Sequence, residues 1–131
     1  MTSSPATISV RISGRELGLP AIADPVGEVG ELLRAYADAS DVTVSIELAD
    51  DHGTLLIAVE AGNAFVGLAA PDGIYQYVGD DTAEGTHQFI IGHQPTSIGT
   101  RYMLPVDAAI EVLTPWLAGS ASLNGPGWER Q

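Results

Sequence analysis

Between Val42 and Val78 the chain repeats one local pattern, and that pattern limits the folds open to it. Val42–Leu48 alternates Val42, Val44, Ile46 and Leu48 with Thr43, Ser45 and Glu47. Thr54–Glu60 is mostly apolar, Ala64–Ala70 follows, and Ile74–Val78 sets Ile74, Gln76 and Val78 on one face with Tyr75 and Tyr77 on the other. Side chains on a strand point to opposite faces in turn, so alternation reads as a half-buried strand and a continuous apolar run as one covered on both faces. The connections are Asp50-Asp51-His52-Gly53, Ala61-Gly62-Asn63 and Pro71-Asp72-Gly73. Each is short and made of residues that turn easily. Links this short leave no room for a crossover helix, so the strands form an antiparallel meander and not a parallel sheet.

Two further strands are expected at Ala6–Ile12 and His87–Ile91, while Trp128–Gln131 reads either as a short edge strand or as a fraying end. Gly14–Pro20 and Gln94–Gly99 read as connections, and Gly79–Thr86 as a polar loop. Two segments have helical spacing. In the first, Asp24 caps the helix, Pro25 takes its first position, and Val26, Val29, Leu33, Tyr36 and Ala37 form the buried stripe with Leu32 beside it. Glu31 and Arg34 stand three apart on its wet side, a spacing that allows a weak pair. In the second, Pro105 opens the helix, Asp107 favours its positive end, and Val106, Ala109, Ile110, Leu113 and Leu117 share one face. Pro115 removes a backbone bond near the end, and Gly119 is the expected stop. The expected fold is α+β: one antiparallel meander sheet of about five to seven strands with two helices on one face.

The 131 residues suit a single domain, and 45% hydrophobic residues provide a core for it. With no cysteine there is no disulfide framework and no thiolate metal site. No segment approaches the ~20 apolar residues of a membrane span, and the first residues do not read as a secretory signal. A cytoplasmic location is expected. Charge carries the functional information. Seventeen carboxylates face five basic residues, all arginine, for a net charge of −12. Such a surface repels nucleic acid and anionic membranes and attracts basic partners.

The acidic residues fall on turns: Asp50, Asp51, Asp72, Asp80, Asp81 and Glu84. The Asp50/Asp51 and Asp80/Asp81 pairs are two hairpins apart, which places both at one end of the sheet. Aspartate is an ordinary turn residue, and that bland account stands beside a binding role. Tyr75 and Tyr77 share a face next to the Asp80 pair; they read equally as protein-binding anchors and as residues packed under the helices. Phe65 and Phe89 read as core. His52, His87 and His93 do not make a zinc site, because a strand would hold the last two about 20 Å apart. The Asp50–Gly53 stretch lacks the ligand ladder of a calcium loop. No nucleophile elbow, phosphate loop or metal motif is present, so neither catalysis nor a cofactor is expected.

The C-terminal part carries a resemblance. Leu104-Pro105, Ala108-Ala109, the pair Trp116-Leu117, Gly119 and a closing Trp128-Glu129 resemble the first-numbered family of bacterial immunity proteins. Ala118 stands where that pattern has threonine, and Leu123 and Pro126 stand at its closing Pro and Val positions. The resemblance implies a cytoplasmic antitoxin without chemistry of its own. It would occlude one cognate toxin domain with a basic active-site cleft, a nucleic-acid deaminase such as one acting on DNA cytosine. It also implies that the motif residues are structural. An acidic adaptor or secretion chaperone, and a small-molecule-binding α+β domain, are the alternatives: the first needs an exposed apolar groove, the second a deep pocket.

Overall fold

A computed structural model of the chain describes residues 7–12, 15–18, 25–47, 53–91, 93–117 and 127–131. The fold is α+β. Its elements are β1 (Thr7–Ile12), β2 (Arg15–Gly18), α1 (Pro25–Ala35), β3 (Val42–Glu47), β4 (Thr54–Glu60), β5 (Asn63–Ala70), β6 (Gly73–Tyr77), β7 (Thr86–Ile91), β8 (Gln94–Gly99), β9 (Met103–Pro105), α2 (Val106–Leu117) and β10 (Trp128–Arg130). Among the described residues, eight strands form one antiparallel sheet in the order β10-β6-β5-β4-β3-β1-β2, with β9 also on β5. β7 and β8 form a separate two-stranded sheet.

Register explains the layering. Val44 pairs with Ile57 and Ile57 with Val66, so one face of β3, β4 and β5 is Val42, Val44, Ile46, Leu55, Ile57, Val59, Ala64, Val66 and Leu68. All of these are buried beneath Val29 and Leu33 of α1 and Val106, Ala109, Ile110 and Leu113 of α2. Burying one such aliphatic side chain is worth about 1.5–3 kcal/mol, so this layer is the main source of stability. The opposite parity of β4 and β5 holds Ala58 and Phe65, which pair with each other and lie under Phe89 and Ile98 of the β7–β8 hairpin. The sheet is therefore covered on one face by the helices and partly on the other by the hairpin, so β4 is covered on both faces as its apolar run implies, while the separate two-stranded sheet differs from the single sheet expected.

The differences from expectation have local causes. β8 occupies Gln94–Gly99, read from sequence as a connection. Its Pro95 pairs with Ile90, whose N–H points away from β8 to Glu60, so at this non-bonded pair proline loses no ladder bond. β2 lies within the expected Gly14–Pro20 connection and completes the sheet by pairing along β1. β2 and β9 have four and three residues, too few for a period to appear, whereas β10 falls on the edge strand read at Trp128–Gln131. Pro105 ends β9 opposite Asn63, one residue before the helix it was expected to open. Pro115 lies inside α2, which continues to Leu117. Arg34 pairs across to Asp107 of α2 at 3.2 Å and not with Glu31. Asp24, Leu48, Gly119 and the Asn124–Pro126 turn lie outside the described residues. No helix of the described residues is long and apolar enough to cross a membrane.

Candidate functional site

β5 presents one edge to two strands in succession. β6 pairs with Gly67–Ala70, and β9 pairs with Asn63–Phe65. The chain must therefore leave the sheet after Tyr77 and return at Met103. The departure is tight. Gly79 N and Asp80 N both donate to the Arg101 carbonyl, at 2.7 and 3.0 Å, and Thr100 N donates to the Gly85 carbonyl at 3.0 Å. These bonds close the loop at both ends, and it carries Asp80, Asp81 and Glu84 into solvent, all three exposed.

Inside the loop, Asp80 Oδ1 accepts from the Thr82 hydroxyl at 2.7 Å and from Thr82 N at 3.0 Å, while Ala83 N donates to the Asp80 carbonyl at 3.1 Å. The side chain reproduces a backbone turn, which aspartate does well. The Thr82 hydroxyl, and then its backbone N–H, hold the Asp80 carboxyl below its ordinary range. A carboxylate depressed in the folded state contributes stability above its unfolded pKa and loses it as the pH falls through the folded value. Thr82→Val is expected to raise the Asp80 titration midpoint, read from its carboxyl carbon by NMR. An unchanged midpoint would contradict this account of the turn.

The acidic turns do not share one end. Glu47–Thr54, Thr54–Ala69 and Ala70–Gly73 are cross-strand pairs, so the turn bearing Asp72 lies with the described ends of the β3–β4 hairpin. The Asp80 loop leaves from the opposite end, beyond Tyr77. Strand direction alternates in a meander, and this sets the Asp72 turn and the Asp80 loop at opposite ends of the sheet. Asp50 and Asp51 themselves lie outside the described residues, as does His52.

Tyr75 and Tyr77 do share a face, and it is the helix side: both pack against the main core. The Tyr75 hydroxyl donates to Asp72 at 2.9 Å, and that carboxylate pushes the phenol above its ordinary value, with desolvation adding to it. The Tyr77 ring meets Trp128 edge-on at 5.3 Å. Packing explains both tyrosines. Of the residues of the C-terminal resemblance, Leu104 and Ala109 are buried, Ala108 is half-buried, Pro105 marks the strand–helix junction, and Trp116 and Leu117 fall in the last turn of α2. Glu129, next to Trp128, accepts from Arg101 Nη2 at 2.7 Å and from the Tyr102 hydroxyl at 2.6 Å. Strand β10 is thereby tied to the same segment that closes the acidic loop.

Sequence reading passed over Asp41 and Glu60. Asp41 is buried at φ 57° and accepts from His93 N, at 3.3 and 3.2 Å to its two oxygens, with His93 Nδ1 3.2 Å away. Glu60 Oε1 accepts from Ile90 N and from the Ser40 hydroxyl, each at 3.0 Å. The available signal was weak: an aspartate ahead of a strand suits a left-handed residue, but nothing in the sequence names its partner. His87 is exposed and meets Phe89 edge-on at 5.8 Å. Among the described residues no group of three or more His, Asp or Glu side chains is placed to hold a metal ion. What the loop offers chemically is fixed, exposed negative charge. No protein-family model matches the chain, and no curated protein matches it.

Proposed function

We propose that the protein is an immunity protein: a cytoplasmic binding module that captures a basic toxin domain and blocks its active-site cleft. The observation that carries the reading is the Asp80–Glu84 loop, whose three exposed carboxylates project from a turn closed at both ends on the Thr100–Arg101 backbone. A loop already shaped in the free protein lowers the ordering cost of binding. A net charge of −12 speeds encounter with a basic cleft, because charge complementarity acts chiefly on the association rate. The C-terminal resemblance supplies the biological class, and a nucleic-acid deaminase acting on DNA cytosine is the toxin it favours. Inhibition is by occlusion, with the carboxylates standing where nucleic-acid phosphates would lie.

The test is co-expression with the toxin domain encoded beside the protein's own gene. The native chain is expected to protect, and the purified pair to associate about tenfold more slowly when salt is raised from low to near-physiological strength. Asp80→Lys, Asp81→Lys and Glu84→Lys together are expected to abolish protection while the circular dichroism spectrum stays native. Full protection by the triple variant would remove the loop from the interface. No complex at any salt concentration would remove the immunity reading itself.

A further inference from the structure

The geometry points to a second device: the β7–β8 hairpin is a latched strap that opens from the sheet as a unit while the rest of the fold stays closed. Among the described residues it shares no strand ladder with the main sheet. Three kinds of contact hold it down. Phe89 and Ile98 rest on Ala58 and Phe65. Glu60 accepts the Ile90 N–H midway along the hairpin. Asp41 accepts the His93 N–H at the tip and stands beside its imidazole.

Each polar contact is worth little net. The Asp41 side chain is only 8% exposed, and among the described residues its side-chain partners are all on His93. A carboxylate taken out of water needs those bonds to offset its own desolvation, so opening returns much of what closing gains. Both latch residues also hold positive φ, 57° at Asp41 and 66° at His93, a backbone state that side chains disfavour. Thr43, opposite Ala58 on the covered face, has a buried hydroxyl with no hydrogen-bond partner. Opening gives that hydroxyl to water. The root of the strap is secured separately, by the bonds that link Gly79 and Asp80 to Arg101 and Thr100 to Gly85. The strap can therefore swing without unfolding its attachment. Lifted, it uncovers Ala58 and Phe65; a partner bound at the acidic loop sits at its root.

Amide hydrogen exchange of the whole chain, followed by NMR, tests this. Alternate amides of an antiparallel strand point to opposite sides. Ile90 N–H faces Glu60, so those of Phe89 and Ile91 face β8. The amides of the strap are expected to exchange together, on the order of 100-fold faster than Ile57 and Val66 of the central strands, since separately opening units exchange ahead of global unfolding. Glu60→Ala should speed the strap about tenfold more and leave Ile57 and Val66 unchanged. Asp41→Asn, which tolerates the same positive φ, is a second variant with the same expected signature. Strap amides that exchange no faster than Ile57 would overturn the inference, and so would variants that speed all amides alike or none.

Discussion

Gly79→Ala is expected to cost about 3 kcal/mol or more, one of the two largest effects anticipated from a single substitution. A Cβ built on Gly79 would collide with the Met103 carbonyl oxygen and stand 2.7 Å from Leu104 Cδ2. The oxygen belongs to backbone paired with Phe65 of β5, so it cannot yield without breaking the β5–β9 ladder or moving the acidic loop. Closeness, not backbone angle, excludes the side chain. Gly85 is the matched control. It lies at the other end of the loop with φ 84° and nothing within 4 Å of an added methyl group, so alanine there costs only the left-handed penalty of about 1–2 kcal/mol. For a chain of this size the Gly79 variant should melt about 10 °C lower. Equal melting temperatures for the two variants would mean that Gly79 is not wedged against β9.

The other large effect is Ile57→Ala. Ile57 is fully buried at the centre of the sheet, between Val44 and Val66. Truncating such a residue removes its transfer energy and leaves a cavity, for about 2–5 kcal/mol. Small domains hold roughly 5–15 kcal/mol in all, so a substantial share of the fold's stability rests on this position. Ile74 is the same residue type on the uncovered part of the opposite face, with 58% of its surface exposed. Ile74→Ala should stay within about 0.5 kcal/mol. Urea melts with unchanged slopes and separated midpoints are the expected outcome. Comparable losses at both positions would mean that Ile74 is covered as Ile57 is.

Much of this architecture is legible in sequence because it is local. β3 and α2 announce themselves by period, β4 by its apolar run, and the turns between strands by glycine, proline and aspartate. The parity of Tyr75 against Ile74 could be read directly, since alternation is a property of the strand itself. What could not be read depends on partners distant in the chain. Gln94–Gly99 has no apolar alternation; it becomes a strand because β7 lies beside it. Whether Asp72 and Asp80 share an end of the sheet depends on the direction of each strand. Asp41 looks like a turn residue until His93, far along the chain, is folded over it. Glu129 looks like part of a fraying terminus until Arg101 and Tyr102 reach it. The acidic loop was found as composition, and only the bonds from Gly79, Asp80 and Thr100 give it a fixed form.

The sharing of one edge of β5 by β6 and β9 has an evolutionary consequence. Gln76 and Met103 stand opposite Gly67 and Phe65, two residues apart on the same strand. Everything between them departs from and returns to nearly one point of the scaffold. Such a segment behaves as a cassette: its length and chemistry can be rewritten while the ladder beneath it keeps its register. Grafting a different loop between Tyr77 and Met103 would change what the scaffold displays while its pairing on β5 stays in place.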